Sequence, residues 1–250
     1  MKKIKNVLFM VRIFLRLVFL MVKNYFALND DPRHNFLICK EICRKIVRAC
    51  RIKLQVNDYE TLGHSEPFLL VSNHRCFFDV VFLLAAVEQP IRFVAAQELL
   101  SYPILRKYLK SLQCVTLDRS SRNLSKIRKG VSDMKEALSN GNLVLFPEGE
   151  CSYYDRYMKK FKKGGFVGVS DLGARIVPTF IHFGELLNIG RWMIPQGLVT
   201  VYFGEGFFPA ETIEGKVTAG ALAAYSQKKV LALQELAEQK KTDSVVFHKL

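Results

Sequence analysis

Asp79 follows His74 by five residues in the run Val71-Ser72-Asn73-His74-Arg75-Cys76-Phe77-Phe78-Asp79. An imidazole titrates near neutral pH, and a carboxylate in reach can fix its tautomer and stabilise the imidazolium. The pair could therefore serve as a general base with its orienting partner. A structural histidine satisfied by a nearby acid would look the same. The pair directly follows the apolar run Phe68-Leu69-Leu70-Val71, which reads as a buried strand. Ligand and catalytic groups concentrate at such strand ends in α/β sheets.

Two more apolar runs end in polar groups. Residues 114–117 lead into Asp118-Arg119-Ser120-Ser121-Arg122, and residues 142–146 into Pro147-Glu148-Gly149-Glu150. The turn Lys159-Lys160-Phe161-Lys162-Lys163-Gly164-Gly165 comes next. Taken singly, these are a surface ion pair, an ordinary turn and a solvated helix start. Their joint occurrence at strand ends points to one site holding a His/Asp pair, arginines, a carboxylate beside a glycine, and a lysine-rich turn.

The elements that must position these groups alternate. Strands are expected at 68–72, 91–95, 114–117, 142–146, 175–181 and 198–203. Helices are expected at about 79–88, 97–112, 123–140 and 164–172, with Asn140-Gly141 stopping the third. This alternation predicts an α/β fold with a mixed, largely parallel sheet flanked by helices. A C-terminal helix is expected over 216–240. Three units follow: 1–57, 58–213 and 214–250. No internal repeat, low-complexity tract or flexible linker interrupts them.

The net charge is +14, and residues 1–57 hold thirteen Lys/Arg against three Asp/Glu. The basic surface is thus mostly N-terminal, where it accompanies apolar sequence. Residues 7–22 are almost continuously apolar apart from Arg12 and Arg16. On a helix, Lys5, Arg12, Arg16 and Lys23 fall within roughly 40° of one another. A basic stripe on an apolar cylinder predicts a helix lying in the membrane interface. A spanning helix would place both arginines in hydrocarbon, at about 2.5–3.5 kcal/mol each. A single span and a cleaved signal peptide are the alternatives. Residues 36–56 read as a second amphipathic helix, giving an N-terminal two-helix membrane-docking unit. A nucleic-acid partner is disfavoured, because the charge lies beside an apolar face and not among exposed aromatic platforms. The six cysteines form no Cys-x-x-Cys pair and no zinc-spaced cluster. A reducing, cytoplasmic setting without a structural metal is expected, with the chain on the cytoplasmic face of a membrane.

Residues from about 67 to 210 resemble the 1-acylglycerol-3-phosphate acyltransferase family. His74-x4-Asp79 matches the family's first motif, and Leu117-Asp118-Arg119 resembles the end of its second. Phe146-Pro147-Glu148-Gly149 matches the start of its third, Phe161-Lys162-Lys163-Gly164 resembles the basic turn after it, and Ile176-Val177-Pro178 resembles its fourth. The resemblance implies acyl transfer from a thioester, acyl-CoA or acyl carrier protein, to the free hydroxyl of a lysophospholipid. No bound cofactor is implied. His74 would take the hydroxyl proton and Asp79 would orient His74. Arg119, Lys162 and Lys163 would receive the acceptor phosphate, while Glu148 and Gly149 would shape the acceptor site. Cys76 and Cys151 are not expected to act as nucleophiles.

One departure concerns the acceptor. The family's third motif usually continues Glu-Gly-Thr-Arg, whereas this chain continues Glu148-Gly149-Glu150-Cys151. The missing arginine leaves another lyso-lipid acceptor open, with Arg156 or Lys159 as possible substitutes. A lipid hydrolase using His74 would need a Gly-x-Ser-x-Gly elbow or a metal cluster, and neither is present in the sequence. A non-enzymatic lipid-binding relative is the other alternative.

Overall fold

Alternate residues of each central strand are buried on opposite faces, and that decides the architecture. The structure, a computed structural model, describes residues 2–63, 66–119, 121, 123–152, 158–189 and 192–247. In the strand β2 (Phe68–Ser72) every residue is buried. Phe68 and Leu70 join the core on one side of the sheet, Leu69 and Val71 the core on the other. A strand apolar on both faces needs helices above and below it.

The chain opens with α1 (Lys2–Asn24) and α2 (Pro32–Ala49), the latter capped by the Asp31 side chain on the Arg33 N–H with Pro32 in its first turn. Next come β1 (Lys53–Asn57), β2, α3 (Phe78–Ala86), β3 (Ile91–Ala96), α4 (Pro103–Ser111) and β4 (Val115–Leu117). The order continues with α5 (Leu124–Ser139), β5 (Asn142–Leu145), β6 (Arg175–Ile189), β7 (Trp192–Phe203), the short α6 (Pro209–Thr212) and α7 (Ala219–Phe247). Among the described residues seven strands form one sheet in the order β1-β7-β6-β2-β5-β3-β4. Every neighbouring pair is parallel except β6 with β7. The α1, α2 and α3 helices cover one face, with Ile13, Ile46 and Phe82 in the core; α5 and α7 cover the other, with Met134 and Val230.

The mixed, largely parallel sheet matches the expectation, but several boundaries differ. The second helix, expected over 36–56, ends at Ala49; Arg51 turns left-handed (φ 57°) and 53–57 become β1, which pairs in parallel with β7. The expected unit 1–57 therefore includes a strand of the main sheet, and its helices share the main core. The helix expected over 97–112 divides into a 3-10 turn (Gln97–Ser101) and α4. Tyr102 is extended (φ −90°, ψ 109°) because it precedes Pro103, whose ring disfavours α geometry there. The helix expected over 164–172 is a 3-10 turn, Lys163–Phe166, followed by further turns in a stretch holding Gly164, Gly165 and Gly168. The strands expected at 175–181 and 198–203 extend toward each other as a long antiparallel hairpin, with Ile189 opposite Trp192.

Candidate active site

Parallel strands bring their C-terminal ends to one edge, and the singled-out residues lie there. His74 follows β2, Arg119 follows β4, and Glu148 and Gly149 follow β5, the direct neighbour of β2. Asn73 anchors the start of the histidine loop: its amide donates to the Ile181 carbonyl at 3.1 Å and accepts from the Ile181 N–H at 2.8 Å. This side chain continues the β2–β6 ladder by one step after the strand has ended.

His74 Nδ1 lies 2.8 Å from Asp79 Oδ2. The same oxygen accepts the Arg75 N–H at 2.7 Å and the Cys76 N–H at 2.9 Å. Asp79 is fully buried in the first turn of α3, where the helix N-terminus favours a negative charge. With Oδ2 acting as acceptor, Nδ1 carries a hydrogen, and in the neutral ring Nε2 presents its lone pair. The ring stacks on Phe146 at 4.2 Å between centroids and 19° between planes, which fixes the second rotational freedom of the imidazole. Asp79 Oδ1 is buried without a hydrogen-bond partner. Such an orphan costs stability, and orphans of this kind deserve a functional explanation.

Glu148 sits behind the histidine. It is 1% exposed, and its Oε1 accepts the His74 N–H at 2.6 Å while Oε2 accepts the Lys159 N–H at 2.9 Å. Burial pushes its carboxyl above the usual range, against the pull of these two backbone donors and of a charged His74. This geometry makes Glu148 a brace between two loops, so any shaping of an acceptor site by it acts through the backbone it holds. Ser152 completes the brace by donating both its N–H (2.9 Å) and its hydroxyl (3.1 Å) to the His74 carbonyl. Neither Ser152 nor Asn73 stood out in the sequence. A small polar residue beside a motif carries no distinguishing spacing.

Pro147 and Glu148 occupy the middle of a turn closed by the Gly149 N–H on the Phe146 carbonyl at 3.1 Å. Gly149 adopts φ 75°, a conformation that favours glycine, and a Cβ there would meet the flexible Lys162 side chain at 3.1 Å. The Arg119 guanidinium donates to the Gly149 carbonyl. Arg119, Gly149 and Lys162 are thereby brought together, with both cations exposed; Lys163 is exposed at the start of the following 3-10 turn. Glu150 pairs with Lys159 at 3.3 Å. Arg156, the other suggested substitute for the missing arginine, lies outside the described residues.

Cys151 lies in the same constellation. Its sulfur lies 3.1 Å from His74 Nε2. Burial lowers the imidazole pKa, but the hydrogen bonds and charge interactions with Asp79 and Cys151 outweigh it and raise the value to about 10. By contrast, burial pushes the Cys39 and Cys50 thiols up to about 12, as befits small buried hydrophobes. Among the described residues no group of three or more His, Cys, Asp or Glu could hold a metal ion.

The acyltransferase family profile matches residues 53–182, from the first residue of β1 to the middle of β6 and just over half of the chain. The chain belongs to the acyltransferase family. The matched span contains all the site residues described above. A 1-acyl-sn-glycerol-3-phosphate acyltransferase of Neisseria meningitidis serogroup B is 30% identical over 145 residues, covering 57% of this chain and 54% of that protein. The chloroplastic 1-acyl-sn-glycerol-3-phosphate acyltransferase of Arabidopsis thaliana is 27% identical over 184 residues, covering 70% and 49%. The chain thus spans about half the length of the curated relatives it matches. In fold, this family member is similar to the 1-acyl-sn-glycerophosphate acyltransferase PlsC from Thermotoga maritima, with TM-score 0.75 and 22% identity over 95% of this chain and 98% of that one.

Proposed function

We propose that this family member moves a fatty acyl group from a thioester donor, acyl-CoA or acyl carrier protein, to the free hydroxyl of a lysophospholipid. The first candidate acceptor is 1-acylglycerol-3-phosphate, which would yield phosphatidic acid. The observation that carries the reading is the His74–Asp79 pair: a buried carboxylate holds Nδ1 at the edge where β2, β4 and β5 end, and Nε2 is turned away from it toward the partly exposed Cys151. General-base help of this kind is worth about 10²–10⁴ in rate. Arg119 and Lys162, drawn together around Gly149, would meet the acceptor phosphate through charge-assisted hydrogen bonds, with Lys163 beside them. No cofactor beyond the thioester co-substrate is required.

The acceptor reaches the site from a lipid surface. Among the described residues no helix is long and apolar enough to cross a membrane. The α1 helix instead buries Ile13 and Leu20 in the core and exposes Ile4, Leu8, Leu15, Phe19 and Val22 on the opposite side. At about 100° per residue, Lys5, Arg12, Arg16 and Lys23 fall along one border of that exposed apolar face. This is the layout of a helix docked in an interface with its basic residues at headgroup level. Residues 1–49 would then be the docking unit, on the cytoplasmic face, with the α/β unit carrying the chemistry.

The test is transfer by the full chain to a panel of lyso-lipids dispersed in vesicles, with both donor types. Acylation of lysophosphatidic acid is expected. Turnover of only a zwitterionic or amino lyso-lipid would overturn the acceptor assignment. Release of free fatty acid without transfer would point to hydrolysis.

A further inference from the structure

The connection between α1 and α2 encloses a cavity of about 510 Å³ against α4, built from none of the residues of the His74 site. Arg106, Lys107 and Lys110 of α4 line one wall, and Tyr25, Asn29 and Asp30 line the other. The three cations fall within about 100° of one another around the helix, while Tyr108 and Leu112 bury its opposite side in the core. Among the described residues none of the three is paired with a carboxylate. One enclosed side chain ties the two walls together. Asn35 donates to the Asn29 carbonyl at 2.7 Å and to the Ser111 carbonyl at 3.1 Å, and it accepts the Asn29 N–H at 3.0 Å. The cavity is thus shaped in advance, which cuts the ordering cost of binding. It also adjoins the exposed apolar stripe of α1. Ile4, Leu8, Val11, Leu15, Phe19 and Val22 recur every three or four residues, and Phe26, 87% exposed in the 3-10 turn Tyr25–Ala27, continues the series. The Lys107 ammonium lies 4.1 Å from the Tyr25 ring centroid and 5.9 Å from that of Phe26. The cations therefore stand where the apolar stripe ends, which is the level of the head groups for a helix lying in an interface.

We propose that this cavity binds the head group of a membrane phospholipid, its phosphate against Arg106, Lys107 and Lys110 and its hydroxyls against Asp30. This rests on the interfacial reading of α1 and deepens it: α1 supplies apolar anchorage, and the cavity adds a saturable site with a choice of head group. A phosphodiester brings one negative charge to three cations, which meet it with charge-assisted hydrogen bonds. Arg106 Nε is held by the Leu100 carbonyl at 2.5 Å, which leaves the outer guanidinium nitrogens for the ligand. The Asp30 carboxylate sets the preference. It repels a bare phosphate pressed against it and accepts hydrogen bonds from a hydroxyl-bearing end. A glycerol head group supplies phosphate and hydroxyls together, whereas a serine head group of the same net charge sets a second carboxylate against Asp30. A lipid held between α4 and the end of α1 also limits how far α1 can roll in the interface.

The full chain in dodecyl maltoside micelles, which contain no phosphate, is titrated with glycerophosphoglycerol, the free head group, and followed by phosphorus NMR. Saturable binding is expected. Lys107→Ala with Lys110→Ala should weaken it about tenfold or more, as the loss of charge-assisted hydrogen bonds requires. Lys129→Ala with Lys135→Ala removes the same charge from α5 on the other face of the sheet and should leave it unchanged. Asp30→Ala should weaken binding of glycerophosphoglycerol and strengthen that of inorganic phosphate. On phosphatidylcholine vesicles doped equally with phosphatidylglycerol or phosphatidylserine, wild type should sediment more with the former, and the Lys107/Lys110 variant should show no preference. No saturable binding in micelles would overturn the site, and equal weakening by both lysine pairs would reduce it to overall charge. Tighter binding of adenosine 3′,5′-bisphosphate, the head of CoA, would give the cavity to the thioester donor and overturn the lipid. Saturable binding in micelles by a protein that sediments with no vesicle would overturn the lipid source together with the docking of α1, leaving the acyl-transfer reading standing.

Discussion

The Glu148 carboxylate reaches His74 through the backbone: the His74 N–H donates to Glu148 Oε1 at 2.6 Å, and the other oxygen takes the Lys159 N–H. One buried side chain therefore ties the loop after β2 to the loop after β5. Glu148→Gln keeps the shape but turns one acceptor into an NH₂ donor facing an N–H. A buried donor left unsatisfied costs about 1–3 kcal/mol. The variant should unfold at lower urea and lose more than about tenfold in kcat/KM, a loss that wild-type stability and activity in the same two assays would contradict.

Asp79 separates orientation from charge. In Asp79→Asn the amide oxygen can still accept the Nδ1–H and the two backbone N–H groups, and Oδ1 has no bond to lose. The fold should survive with circular dichroism unchanged. The imidazolium loses its counter-charge, so kcat should fall by about 10²-fold or more with acceptor KM little altered. Unchanged kcat would show that the carboxylate charge is idle.

Raising the imidazole pKa from 6.5 to about 10 also has a stability consequence. A group that binds its proton more tightly when folded stabilises the fold fully below its unfolded pKa, and loses that contribution as pH rises through the folded value. Urea unfolding should therefore show wild-type stability falling from pH 6.5 toward 10, with a shallower fall in His74→Gln over the same window. Cys151→Ala removes one of the two groups that raise the pKa, so the wild-type fall should end at lower pH in that variant. Parallel profiles for wild type and His74→Gln would mean that folding gives His74 no extra proton affinity.

The exposed face of α1 is open to a direct test in vesicle sedimentation. Arg12→Glu with Arg16→Glu should weaken binding to anionic vesicles far more than to neutral ones, since each basic residue near such a surface contributes about 1 kcal/mol. Leu15→Asp with Phe19→Asp, both exposed on the protein, should weaken binding to both kinds without unfolding it. Equal binding by all three proteins would remove α1 as the docking element.

Arg119→Ala should raise the KM for lysophosphatidic acid strongly and leave the donor KM nearly unchanged, since the guanidinium lies against the Gly149 carbonyl on the proposed acceptor side. Equal effects on both constants would place Arg119 in the donor site or in the scaffold.

The central strands and the strand-end chemistry were legible in the sequence because their signals are local. Phe68–Val71 and Leu143–Leu145 are continuous apolar runs, and each polar motif begins where its run stops. The parallel sheet then does the assembly: once β2 and β5 are neighbours, His74 and Glu148 must meet. Other features depended on partners far along the chain. Lys53–Asn57 alternates too weakly to declare a strand and becomes one by pairing with residues 198–202 of β7. The bracing role of Glu148 depends on two backbone donors, His74 and Lys159, that are invisible without the fold. The contact of the Cys151 sulfur with His74 Nε2 likewise exists only because the loop after β5 closes onto His74.

The central claim is that His74 Nε2 handles the proton in acyl transfer to a lyso-lipid. The most direct measurement is the initial rate of acyl transfer from palmitoyl-CoA or palmitoyl-acyl carrier protein to lysophosphatidic acid on vesicles, wild type against His74→Ala, with folding of the variant verified by circular dichroism. The account predicts transfer by wild type and a loss of about 10²–10⁴-fold in the variant. A folded His74→Ala protein retaining more than about a tenth of the wild-type rate would contradict it.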